Sequence, residues 1–112
     1  MTSVSIGPDR AGSLAPSVVN GSGSSIAGVA ASAGQVIRVY KMFLVVGGAT
    51  NITFEDGSTA LCGPLPLLAN ESIVLDIDGT PWFTTTSGNA FNIANSGSVQ
   101  VSGTIYYMLN NT

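Results

Sequence analysis

The stretch QVIRVYKMFLVV, residues 35–46, limits the choice of fold more than any other part of this chain. Drawn as an extended strand, it places Val36, Arg38, Tyr40, Met42, Leu44 and Val46 on one face and Ile37, Val39, Lys41, Phe43 and Val45 on the other. Both faces are apolar. A strand open to water on one side alternates apolar with polar residues, so this one is expected either at the centre of a sandwich or partly beneath another chain. In a regular strand Arg38 and Lys41 point to opposite faces, each reaching a rim or a carboxylate.

Around this stretch the chain is punctuated as an all-β protein. SSIAGVAA (24–31) and QVIRVYKMFLVV flank SAG, read as a short hairpin loop. TNITFE (50–55) alternates, with Ile52 and Phe54 on one side and Asn51, Thr53 and Glu55 on the other, and Asp56-Gly57 then marks a tight hairpin into STALC (58–62). GPLPLLAN carries too much proline for a central strand and reads as a crossing loop. ESIVLDID (71–78), PWFTTT (81–86), NAFNIA (89–94) and SVQVSGTIYYML (98–109) supply the remaining strands. About eight short antiparallel strands over residues 24–112 predict a β-sandwich of jelly-roll type. No segment combines a 3.6-residue apolar stripe with helix caps. Residues 1–23 hold two prolines and no sustained periodicity, and predict an extended N-terminal arm with the small anchors Val4, Ile6, Leu14, Val18 and Val19.

Charge is scarce. Only 8% of residues are charged, against about 25% in ordinary domains, while 45% are hydrophobic and the mean hydropathy is +0.41. A monomer of 11.3 kDa exposes roughly 5,700 Å² by size scaling, so three Lys and Arg with six Asp and Glu must solubilise all of it. Part of that surface is therefore expected to be covered in the working state, because charge is depleted at the cores of interfaces. The net charge of −3 and the absence of a basic cluster argue against nucleic acid as a partner. Neither a signal peptide nor a membrane span is read in the chain, and the single Cys62 is expected to serve as a small apolar side chain.

Chemistry-bearing motifs are few. Without histidine, Ser-His-Asp and Cys-His catalysis and His-ligated metals are excluded. Asp76 and Asp78 in DIDG would share a strand face, but two neighbours on one strand cannot flank a glycosidic bond from opposite sides. DIDGT also lacks the closing ligands of a calcium loop. Trp82 beside Phe83 fits packing or a sugar-stacking platform. No enzyme and no cofactor is expected.

Over residues 24–112 the chain resembles small β-sandwich virion proteins of tailed bacteriophages, capsid decoration (cement) proteins among them. The likeness rests on AGQVIRVYKMFLVV as a Gly-led long strand, on FEDGSTALCGPLPLLAN as strand, turn and crossing loop, and on PWFTTTSGNAFNIANSGSVQVSGTIYY as the C-terminal strands. It implies a homotrimer at threefold positions on the outside of an icosahedral head, bridging copies of the major capsid protein, without catalytic residues. On that basis the expected shell contacts are Val4, Ile6, Arg10, Leu14, Val18 and Val19, and the expected subunit interface is Arg38, Tyr40, Met42 and Tyr107. A carbohydrate- or host-surface-binding module of a fibre is the alternative.

Overall fold

The computed structural model describes residues 14–111. Ten strands run in the order β1 (Ala15–Gly21), β2 (Ser25–Val29), β3 (Gln35–Val46), β4 (Thr50–Asp56), β5 (Thr59–Ala60), β6 (Leu65–Leu67), β7 (Ser72–Leu75), β8 (Phe83–Thr84), β9 (Phe91–Asn95) and β10 (Val101–Asn111). One sheet has the order β1-β10-β3-β7, with β8 also on β3; the other has the order β2-β9-β4-β5, with β6 also on β4. The pairings nest: β4 with β5 and β6, β3 with β7 and β8, β2 with β9, and β1 with β10, all antiparallel. If β5 and β6 are taken as one interrupted strand, and β7 and β8 as another, the chain is a single long hairpin rolled into two four-position sheets. That is the jelly-roll arrangement.

The hairpin turns at Asp56-Gly57-Ser58-Thr59, where Asp56 faces Thr59 and Gly57 takes a φ of +62°. Glycine at the first central position is what a two-residue loop of this hand requires. The Asp56 carboxylate then ties the tip down, accepting from the Thr86 N–H (3.0 Å), the Thr86 hydroxyl (2.7 Å) and the Asn89 side-chain amide (3.0 Å).

The core lies between the sheets. Ile37, Val39, Met42, Leu44, Val101 and Ile105 enter from the first sheet, and Ile52, Phe54, Phe91 and Ile93 from the second, all fully buried. Full burial of each such side chain contributes about 1.5–3 kcal/mol. Phe54 stacks on Phe91 with ring centroids 5.6 Å apart, and Phe83 tilts against both at 5.2 and 5.5 Å. Cys62 is half-buried against this cluster.

One buried polar knot closes an end of the sandwich. Asn95 is fully buried; its carbonyl oxygen accepts from the Thr50 hydroxyl (2.7 Å), and its amide donates to the Gly23 and Val99 carbonyls (3.0 and 2.7 Å). The Thr50 hydroxyl in turn accepts from the Gly97 N–H at 2.9 Å. The starts of β2 and β4 and the β9–β10 turn are thereby held by a single side chain.

Four local expectations change. Residues 15–21 are strand β1, hydrogen-bonded along β10 from Ala15↔Tyr107 to Gly21↔Val101, so the expected arm loses its second half to the sheet. SAG does not join a hairpin, since β2 pairs with β9 and β3 with β10; it carries the chain between sheets. GPLPLLAN contains β6, with Pro66 on an edge where its missing N–H is tolerated. The strand after Glu71 stops at Leu75, so Asp76 and Asp78 lie beyond it.

Two measurements check these anchors. Asn95→Ala leaves the buried Thr50 hydroxyl without its acceptor and two part-buried carbonyls without their donor, and is expected to lower unfolding free energy by about 1–3 kcal/mol in urea titrations. Burial raises the pKa of Asp56, but the hydrogen bonds from Thr86 and Asn89 lower it by more, so it falls below the ordinary 3.8. A depressed folded pKa means that its stabilisation is present above 3.8 and is lost as pH drops from there through the folded value. The stability gap between the wild type and Asp56→Asn should therefore close on acidification in that window. A gap that is constant with pH would remove the clamp.

Candidate interaction surface

The unusual strand is explained by a β-bulge. Tyr106 of β10 lies opposite Lys41 but Tyr107 lies opposite Val39, which leaves Tyr40 as the extra residue of β3. A bulge of one residue reverses the alternation. Before it Ile37 and Val39 face the core; after it Met42, Leu44 and Val46 do. Arg38 and Lys41 consequently share the outer face, where the Arg38 guanidinium donates to the Asn110 side-chain carbonyl (2.8 Å) and the Lys41 ammonium sits 5.7 Å from the centre of the Tyr106 ring.

Beyond the bulge the outer face carries one row with exposed apolar side chains, interrupted by Thr104, beside a row in which Asn20, Ser102 and Ser72 flank Val45. Val18 of β1 is in register with Thr104 of β10, Thr104 with Phe43 of β3, and Phe43 with Val74 of β7. Val18, Phe43 and Val74 are 76%, 48% and 59% exposed, and Val45, one step along β3, is also exposed. In the second sheet the matching face is small and polar, with Ala27, Asn92 and Glu55 in one row and Ser25, Ala94 and Thr53 in the next. Of the seven large exposed apolar side chains among the described residues, Val18, Phe43, Val45, Val74, Ile77 and Trp82 belong to the first sheet or to the excursion joining β7 and β8; Leu68 is the exception. The apolar surface is concentrated on one side.

The excursion, residues 76–82, leaves β3 opposite the bulge and returns to it. Trp82 closes it, its indole N–H donating to the Asp76 carbonyl (2.6 Å) and its main-chain N–H to the Val39 carbonyl (2.7 Å). Asp76, Asp78 and Glu71 are all exposed along this margin.

The expected contact residues divide accordingly. Val4, Ile6 and Arg10 lie outside the described residues. Leu14 is half-buried just ahead of β1, and Val18 is the most exposed large apolar side chain among the described residues. Val19 is not a shell contact, since it points the other way on β1 and is 1% exposed in the core. Met42 is likewise fully buried, because the bulge turns it inward. Tyr107 packs against the core, and its neighbour Tyr106 takes the outer face. Tyr40, the bulge residue, is 8% exposed, which leaves Arg38 as the surface member of the expected interface.

Phe43 and Val45 were missed for want of the bulge. A signal for it exists: Arg38 and Lys41 are three residues apart, an odd spacing that puts two cations on one wet face only if a residue is inserted between them.

Other sites are sparse. A shallow groove of about 420 Å³ between Ala49, Asn51, Pro66, Leu68 and Gly97 contains no ionisable side chain. Among the described residues no cluster of three His, Cys, Asp or Glu side chains suits a metal, and no helix is long and apolar enough to cross a membrane. Comparison of the chain with protein-family models, with curated proteins and with solved structures finds no match.

Neighbours on β3 should respond oppositely to truncation. Met42→Ala is expected to cost about 2–5 kcal/mol through the cavity it leaves, whereas Phe43→Ala should stay within about 1 kcal/mol of the wild type in the monomer. Guanidinium unfolding of both variants checks the parity set by the bulge. Equal losses would contradict it.

Proposed function

We propose that this chain is a non-enzymatic capsid decoration (cement) protein of a tailed bacteriophage, a homotrimer on the outer surface of an icosahedral head that bridges copies of the major capsid protein. The observation that carries this reading is the cluster of exposed apolar side chains Val18, Phe43, Val45 and Val74 on the outer face of the β1-β10-β3-β7 sheet, on a domain whose opposite face is small and polar. A one-sided apolar sheet is suited to being covered by other protein, and the resemblance of residues 24–112 to small virion sandwiches supplies the setting. Leu14 and Val18 lie on the β1 side, from which Val4, Ile6 and Arg10 would reach the shell. Its partners are the capsid protein and itself. Neither nucleic acid nor membrane fits a surface with net charge −3 whose described cations are held by Asn110 and Tyr106.

A ligand that binds only the assembled shell stabilises it by linkage, in proportion to the logarithm of its concentration over its Kd. No bond need be made or broken, consistent with the absence of histidine. Shells assembled without the protein are expected to bind it back and to rupture at higher temperature once coated. Failure to bind any shell of the phage that encodes it would overturn the reading.

One observation favours a second reading. Trp82 and Ile77 are each 45% exposed on the same excursion, a surface on which a sugar ring could stack. A carbohydrate-binding module of a head or tail fibre would bind on a glycan array and lose that binding in Trp82→Ala without a lower Tm.

A further inference from the structure

We infer that the free edge of β7 is a strand-accepting site, to which an extended segment of the partner capsid protein adds as the next strand of the β1-β10-β3-β7 sheet. The inference rests on the decoration role proposed above for the identity of that partner, and goes beyond it in naming the contact.

The first observation is where the main chain of β7 points. The Val46 N–H donates to the Glu71 carbonyl (3.0 Å), while on the next residue the Gly47 N–H donates to the Gln100 carbonyl (2.8 Å). Val46 therefore turns its main chain to β7, and by alternation so do Leu44 and Met42, which face Ile73 and Leu75. Ser72 and Val74, opposite Val45 and Phe43, are left with their N–H and C=O groups directed away from β3. β7 ends its sheet on that side, and no hydrogen bond among the described residues uses those groups. Other edges are guarded. The Ser96 N–H donates to the Asn51 carbonyl (3.1 Å), so Asn51 turns its main chain to β9, and Pro66, opposite it on β6, faces outward with no N–H to offer. β1 carries Pro16, and β5 is two residues long.

The second observation is that the β7 flank of the sandwich is unfinished. Where β1 and β2 meet, the Ser17 hydroxyl donates to the Gly28 carbonyl across the sheets, and Val19, Ile26 and Val29 are buried. Along β6 and β7, Leu65, Leu67, Ile73 and Leu75 pack against the core but are only half-buried. Water can satisfy the main chain there, but not these side chains. A strand added to β7 takes up the free N–H and C=O groups, and its inward side chains cover the apolar seam.

Charge selects the added strand. Glu71 precedes β7, Asp76 follows it and Asp78 lies two residues further on, all exposed, while Lys41 stands beside Asp76 on the β3 side and offsets part of this charge. A second copy's β7, laid antiparallel with its Ser72 facing Val74, would bring its Asp76 within one residue of Glu71, and the same at the other end, so like charges oppose self-addition. The edge fits a segment of another protein, apolar at alternate positions and uncharged or basic at its ends.

Amide-resolved hydrogen exchange and a peptide titration test the site. In the dilute full chain Ser72 and Val74 are expected to exchange fast and Ile73 and Leu75 slowly, whereas on coated shells all four should be slow. The probe for the edge alone is an end-blocked KTVTVK peptide, followed by NMR. It should shift the Ser72 and Val74 amides and bind at least about threefold tighter than ETVTVE. Val74→Pro removes one outward N–H without touching the β3 ladder, and should weaken binding of peptide and shells about tenfold or more with an unchanged circular dichroism spectrum, while Val74→Thr stays within about threefold of the wild type. A peptide that leaves both amides unshifted, or binds Val74→Pro as well as the wild type, overturns the inference. So do Ser72 and Val74 amides that are slow already in the dilute chain. Coated shells on which both amides stay fast defeat the inference alone, and a chain that takes the peptide but no shell defeats the decoration role alone.

Discussion

The single extra residue at Tyr40 governs how this sandwich is used. Without it, β3 would carry Ile37, Val39, Lys41, Phe43 and Val45 on one face, and a lysine would share the core side with two residues now fully buried. The insertion lets the strand change allegiance halfway: the first half seals the interior with Ile37 and Val39, and the second with Met42 and Leu44. Phe43, Val45 and both cations turn outward. The same point on β3 is where its other neighbour breaks, since β7 pairs with Met42 to Val45 and β8 with Arg38 and Val39. Bulges bend strands and interrupt ladders, so a gap between β7 and β8 opposite this one is a natural consequence.

That arrangement gives the two sheets different tasks. The β2-β9-β4-β5 sheet meets water with asparagine, threonine, serine and alanine, and carries Glu55 as its one ionised side chain in those two rows. The β1-β10-β3-β7 sheet exposes Val18, Phe43 and Val74 in a row broken by Thr104, a poor surface to leave wet and a good one to cover. The low charge content is thereby resolved into geography. Arg38, Lys41, Glu71, Asp76 and Asp78 lie on or beside the first sheet's outer face, Glu55 lies on the opposite sheet, and Asp56 fastens a turn.

Much of the fold was legible because its signals are local. The Asp56-Gly57 turn, the alternation of Ile52 with Phe54, and the glycine and proline breaks between short apolar runs specify strands and their ends without reference to distant residues. What escaped depends on partners far away in sequence. β1 is irregular by itself and becomes a strand because β10 offers seven residues of ladder. Leu65–Leu67 does so because β4 has a free edge. The SAG connection looks like a hairpin, and only the nesting of β2 on β9 and β3 on β10 shows that the chain changes sheets there. For the surface, composition indicated that some apolar area would be left over, but it could not say which: shifting the parity of β3 by one residue exchanged Met42 for Phe43.

The central claim is that the row Val18, Phe43 and Val74 is outward in the single chain and covered in the working state. Hydroxyl-radical footprinting across a dilution series, and again on coated shells, tests it most directly. Phe43 and Tyr106 are expected to be oxidised readily in dilute protein and protected at high concentration or on the shell, while Asn92 and the rest of the opposite sheet face stay unchanged. Phe43 oxidised at the same rate under all conditions, or protected already at the highest dilution, would contradict the account.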